Sequence, residues 1–408
     1  MGHPRFDHRF LWATLAAIVF IVYCSLYPFR FHAAHLGDAL SALLSHRHMN
    51  QQPLAGLISN VVLYLPLGIF AVLALRPRHG RLQSVLAATL FGSVLCIAME
   101  LTQFFDWRRV TTLTDVYPNA AGTAIGALIG LAISVPARFG LGRALRREPI
   151  AAVLVALFFV YRLFPYLPTL DAGLWWYAIT PVFIQPQLDL YAIARYAALW
   201  AAIAFWLSRL TAGPTRRWAL PITVGIMLLA RVLIVNNRLD PSEIAGIAIV
   251  LASGPLLMAR SARPMAMRLF VALAGIILGA HLWPFHWQAG GDSFGWLPFA
   301  WLLHTHPEIY TRSIVEKAFV YGSLVALARL AGAPLVLAGL AVAAALGIVN
   351  VLQTHLAGQT GELSDIVIVL SMTGLFQMLV GDSISKAHTR ARSGPLYRSE
   401  TPAQAERQ

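Results

Sequence analysis

Cysteine is almost absent: Cys24 and Cys96 are the only two in 408 residues, and both fall inside apolar runs. With no CxxC pair, neither a disulfide framework nor a zinc site is expected, and each thiol reads as a small buried hydrophobe. Lysine is confined to Lys317 and Lys386. Charged residues of both signs make up 12% of the chain, where a soluble domain carries about 25%. A Walker motif, a dinucleotide fingerprint and a GxSxG elbow are all missing. The lack of a nucleotide motif argues against self-powered pumping, and no cofactor is expected.

What the chain does have is apolar length. It is 58% hydrophobic, with mean hydropathy +0.66. Several runs of about 20 apolar residues match the hydrocarbon thickness of a bilayer. The expectation is an all-α, polytopic transmembrane bundle. The net charge of +13 comes almost entirely from arginine. Those arginines sit mostly in short links between apolar runs, where they set topology and meet anionic lipid headgroups; no nucleic-acid partner is implied. The first run, 10–28, follows Arg5 and Arg9 but lacks a small-residue cleavage site, so it reads as a retained first span.

Twelve candidate spans begin near Phe10, Leu57, Leu82, Val116, Pro149, Leu190, Trp218, Ser242, Leu269, Ser313, Pro334 and Leu363. The basic links alternate with them. Arg76, Arg78 and Arg81 separate spans two and three; Arg138, Arg143, Arg146 and Arg147 separate four and five. Arg209, Arg216 and Arg217 separate six and seven; Arg260, Arg263 and Arg268 separate eight and nine. All fall on one side, which the positive-inside bias makes cytoplasmic, with both termini there. The other side receives 32–52, 106–115, 171–187, 236–240, 286–312 and 355–362, with an interfacial belt of Trp175, Trp176, Tyr177, Trp287, Trp296 and Trp301. Residues 383–408 read as a polar, disordered cytoplasmic tail.

The runs repeat. Ser25-Leu26-Tyr27-Pro28-Phe29 parallels His281-Leu282-Trp283-Pro284-Phe285, 256 residues on, and Arg162-Leu163-Phe164-Pro165-Tyr166 is a third copy. Gln103 and Asp115 map onto Gln353 and Asp365 at a constant offset of 250, and a looser copy runs from Arg231 through Arg238 and Glu243. The expected organisation is three four-helix units, 1–140, 149–260 and 267–382. Each has an even number of spans, so the copies run parallel rather than inverted.

The chemistry-bearing stretch is 98–130. Glu100 and Gln103 end one apolar run, Arg108 and Arg109 lie in a short polar link, and Asp115 and Asn119 open the next run. Spacings of three and four place each pair on one helix face, and the short link returns the second helix antiparallel, so the two faces can meet. Ionisable groups at a span end are costly and mark function by default. Asp115 also sits where a carboxylate caps a helix N-terminus, and a plain structural cap is the competing reading. Gly122, Gly126 and Gly130 form a ridge for close helix packing. His32, His35, His46, His48, His304 and His306 lack firm ligand spacing, so no metal is expected.

The first unit, over about 10–135, resembles the VanZ-like family of small membrane proteins. The resemblance rests on Asn60 with Leu65-Pro66-Leu67-Gly68, then Glu100 and Gln103, Arg109, Asp115, Asn119 and Gly122, in order. Thr112 stands where the family often has a second acid, which counts against a two-carboxylate or metal mechanism. The resemblance implies an envelope protein, in a family named for a link to glycopeptide (teicoplanin) resistance, with any activity in the first unit.

Three readings remain open. In the leading one, Arg109 with Arg108 binds an anionic lipid-linked or cell-wall component at the outer face. Glu100 then does proton work, and Asp115, Asn119, Asn60 and Gln103 shape the site. The partners are membrane lipids and a cell-wall precursor or glycopeptide-type amphiphile. The alternatives are a lipid or amphiphile transporter, with Arg195, Arg231 and Glu316 lining a path, and a non-catalytic membrane scaffold.

Overall fold

The structure is a computed structural model that describes residues 8–27, 29–44, 54–106, 113–134, 147–184, 186–259, 262–283, 285–288, 290–300 and 307–392. Among the described residues it is all-helical, with β-pairing limited to isolated bridges. The helices are α1 (His8–Leu26), α2 (Leu36–Leu44), α3 (Leu54–Leu75), α4 (Arg81–Gln103), α5 (Leu113–Ser134), α6 (Pro149–Leu163) and α7 (Ala172–Phe183). Then follow α8 (Leu190–Leu210), α9 (Thr215–Leu233), α10 (Pro241–Ala259), α11 (Ala262–Leu282), α12 (Pro307–Ala331), α13 (Leu335–Gln353) and α14 (Ser364–Arg392).

Each of the twelve expected span starts falls at or within one residue of a helix: all of them except α2 and α7. Seven are long and apolar enough to cross a membrane on those grounds alone: α1, α3, α4, α5, α8, α11 and α13. The core of α6, α10 and α14 is apolar but shorter. α9 carries Arg216, Arg217 and Arg231, and α12 carries Glu316, Lys317 and Arg329. α2 and α7 lie in the links 32–52 and 171–187, for which no helix is expected from the sequence. α2 buries Ala39 and Leu43 and exposes Leu36, Leu40 and Leu44, as an interfacial helix does. The chain beyond residue 382 also departs from expectation. α14 runs on to Arg392, because Lys386, Ala387, Arg390 and Ala391 favour helix and the first breaker is Gly394.

The long helices fall into three sets of four: α1, α3, α4, α5; then α6, α8, α9, α10; then α11, α12, α13, α14. Within every set the first packs on the second and third, and the second and third pack on the fourth. An antiparallel bridge joins the link after the first helix to the link after the third: Phe31 with Asp106, Pro168 with Ile234, Trp287 with Leu356. The residue following each shared proline, Phe29, Tyr166 or Phe285, has a positive φ of 60–62°. These bridges define one end of the bundle, rich in aromatic links. Arg76, Arg78, Arg81, Arg209, Arg217, Arg263 and Arg268 mark the opposite end.

The second and third sets share one large apolar core, centred on Phe158, Trp200, Trp206, Phe319, Tyr321 and Phe376. The first set has two small cores of its own. It docks through α3 on α12 and through α1 on α14, with Phe20 against Phe299 and the Tyr23 hydroxyl donating to the Pro298 carbonyl. Its own tightest seam is α3 on α5. A Cβ at Gly122, Gly126 or Gly130 would collide with the α3 backbone at Val61, Leu65 and Ile69. The ridge therefore packs backbone against backbone, the use that small residues have between membrane helices.

Candidate functional site

At the aromatic end of the first set, α4 stops at Gln103 and α5 begins with Asp115 in its first turn. Glu100, Asp115 and Asn119 are all buried, at 2%, 9% and 6% exposure. The Asn60 side-chain amide, from α3, donates to Asp115 Oδ1 at 2.7 Å. The Gln103 amide crosses to α1 and donates to the Ser25 carbonyl at 2.9 Å, tying the first helix to the third. In the link, the His32 amide donates to the Phe105 carbonyl, which brings buried Asp106 alongside Phe31. Glu100, Gln103, Asp115, Asn119 and Asn60 thus belong to one end of one four-helix set. Arg108, Arg109 and Thr112 lie outside the described residues, as do His46, His48, His304 and His306.

Two members escaped sequence reasoning. Tyr64 is fully buried beside Cys96, within electrostatic reach of both Glu100 and Asp115. Cys96 is also fully buried, against Asn119, and its thiol points at the Val116 carbonyl. Both stand in apolar runs, where nothing in the sequence tells a site-facing residue from a core-facing one. The Tyr64 hydroxyl and Asn119 Oδ1 make no hydrogen bond to nitrogen or oxygen among the described residues. Both face the Cys96 thiol, a weak hydrogen-bond partner, so each keeps capacity that a water or a ligand can fill.

The equivalent end of the other two sets is built differently. Glu243 opens α10 as Asp115 opens α5, and is 1% exposed. Arg162 of α6 and Arg231 of α9 both pair with it, and the Trp200 indole donates to it at 3.1 Å. Arg231 also donates to the Arg238 carbonyl. Asp365 opens α14 and takes a 2.6 Å contact from Lys317 of α12; His281 of α11 approaches at 3.4 Å and Asn350 of α13 donates at 3.3 Å. Gln353 repeats the Gln103 contact, donating to the His281 carbonyl at 3.0 Å. Gln359, which aligns with Arg109, donates to the Trp283 carbonyl. Just before α14, burial pushes the Glu362 carboxyl above its ordinary range.

In every set, then, the acid that opens the fourth helix is gripped by residues of the neighbouring helices. Arg162 and His281 occupy the place of Ser25, and Lys317 holds its acid as Asn60 does. The second set keeps more of the pattern than its sequence suggests, since its acid is a glutamate and its partners are arginines. Among the described residues no group of three His, Cys, Asp or Glu side chains is placed to hold a metal ion.

No curated protein and no solved structure matches the chain. A family model does: VanZ/LLP1 matches residues 10–134, from the first turn of α1 to the last residue of α5. The match covers the set that holds Asn60, Glu100, Gln103, Asp115 and Asn119, so over its first four long helices this chain is VanZ-like.

Proposed function

We propose that the aromatic end of the first set is a binding site, on the outer face of the bacterial inner membrane, for an anionic lipid-linked or cell-wall component. The observation that carries this reading is the pair of buried atoms with hydrogen-bonding capacity to spare, the Tyr64 hydroxyl and Asn119 Oδ1, beside buried Glu100 and Asp115. The second set differs in kind: its Glu243 carboxylate is filled by Arg162, Arg231 and the Trp200 indole, which leaves no room beside the acid for a further anion. In this reading the three sets are copies of one twelve-span design, and only the first keeps the site. Arginine, lysine and histidine side chains fill the ground around the acid in the second and third copies. Ser25, Asn60 and Gln103, neutral and smaller, fill it in the first. Arg108 and Arg109, from the link between α4 and α5, would grip the anion in a two-pronged contact. Glu100 would exchange a proton with the bound group, and Asn60 would hold Asp115 in place.

Complementation in a deletion strain tests this. Wild type, Glu100→Gln, Arg109→Lys and Asp115→Asn are compared under envelope stress, including lipoglycopeptide challenge, with membrane protein level measured in each strain. The reading expects loss of rescue at normal protein level. Full rescue by all three variants, or failure only where the protein disappears, would make the cluster structural.

A further inference from the structure

A second polar opening lies away from the first set. α8, α11 and α12 line a half-open pocket of about 270 Å³ whose walls include Arg195, Glu316 and Lys317 together with Leu273 and Ile277. Arg195 pairs with Glu316 across the gap between the second and third sets, and Lys317 reaches Asp365 at 2.6 Å. These ions are far more open than those of the second set's acid cluster. The side chains of Arg195 and Lys317 are 43% and 28% exposed, against 5% and 6% for Arg162 and Arg231.

Hydrogen-bond capacity decides what the opening suits. A guanidinium carries five N–H groups and an ammonium three. Among the described residues Arg195 and Lys317 each make one side-chain hydrogen bond. Glu316, the one carboxylate of the lining, accepts from Arg195, and Asp365, outside the lining, takes contacts from Lys317, Asn350 and His281. The lining thus holds two cations against one carboxylate. Arg195 is the sixth residue of α8, about 8 Å along the helix, and Lys317 lies about 15 Å into α12. Donors held at that depth beside an isoleucine and leucine wall match a molecule with an anionic head and an apolar tail.

We propose that this cavity binds the anionic headgroup of a membrane amphiphile, phosphate or carboxylate, on Arg195 and Lys317, with its acyl chain along Leu273 and Ile277. The site is separate from the one in the first set and stands or falls independently of it.

The test uses the full chain in phosphatidylcholine nanodiscs, titrated with dioleoyl phosphatidylglycerol, with oleate or with inorganic phosphate, and read by native mass spectrometry. Two variants accompany the wild type. Arg195→Gln/Glu316→Gln removes both charges together and leaves no unpaired ion. Ile276→Trp fills the cavity without touching a charge. Wild type should retain phosphatidylglycerol or oleate over phosphatidylcholine. The double variant should weaken that retention about tenfold, as expected for losing a hydrogen bond to a charged group, and the filled pocket of Ile276→Trp should weaken it at least as much. Gly225→Ala, in α9 and outside both sites, should leave it unchanged. Equal retention of phosphatidylglycerol, oleate and phosphatidylcholine by wild type overturns the proposal, as does undiminished retention in both variants. Inorganic phosphate binding as well as the lipids would overturn the amphiphile assignment.

Discussion

A carboxylate buried between helices survives only with partners, and the partners decide what its loss does. Glu243 holds two arginines that are themselves buried. Glu243→Gln keeps the shape but leaves Arg162 and Arg231 facing each other without a counter-ion. That should cost about 3–5 kcal/mol, the range for breaking one side of a buried pair. Glu148→Gln, at the half-exposed pair with Arg209, should cost no more than about 1 kcal/mol. Thermal unfolding of the purified proteins in one detergent separates the two; equal shifts would mean that burial of the triad carries no special weight. Adding Arg231→Gln to Glu243→Gln should restore part of the loss. At this scale the sequence was readable where a polar residue interrupts an apolar run: Asn60, Glu100, Gln103, Asp115 and Asn119 stand out for that reason. Tyr64 and Cys96 did not, because each is chemically at home in an apolar run. Nor did the pairing of Glu243 with Arg162, since the two lie 81 residues apart.

Helices in lipid gain nothing from hiding apolar surface from one another, so contact must come from close approach. Gly122, Gly126 and Gly130 supply it on α5, and Gly68 returns it from α3 against Thr123 and Ala127. Gly126→Val would push the α3 backbone away at Leu65, and should destabilise by about 1–3 kcal/mol or more, as overpacking does. Gly225→Ala, in α9, meets nothing within 4 Å and should be neutral or slightly stabilising. Folded yield and midpoint of unfolding for the two proteins check this, and equal behaviour would sink the close-packing account. The ridge itself was visible in the spacing, and so were the starts of twelve helices, seven of which are long and apolar enough to cross a membrane. The partner of the ridge was not visible, because spacing says which face packs and not against what. α2 and α7 were hidden for another reason: nine and twelve residues are too few to register as spans, and both sit in links read only as lying between spans.

For the whole molecule, the likeness among the three sets of four helices is where sequence and structure inform each other most. The shared proline–aromatic pairs and the constant spacing from Gln103 to Asp115 and from Gln353 to Asp365 are sequence facts. The matching bridges and the matching order of helix packing are structural ones. What no spacing could convey is that the second and third sets fuse into one core while the first docks from the side. If all three sets are oriented alike in the membrane, every aromatic link faces one compartment and every arginine-rich link the other, with the arginines inside. Single cysteines make that measurable, because Cys24 and Cys96 are 6% and 0% exposed and contribute little background. Gln187→Cys and Ala357→Cys lie in aromatic-end links of the second and third sets, and Ala212→Cys lies in an arginine-end link. A membrane-impermeant maleimide added to intact cells, with the outer membrane made leaky if there is one, should label the first two and spare the third until the inner membrane is opened. Labelling of Gln187→Cys and Ala357→Cys from opposite sides would break the even span count between those sets. The α12 segment would then be the first to re-examine, since Glu316, Lys317 and Arg329 make it a costly helix to place across lipid unless the neighbouring sets shield it.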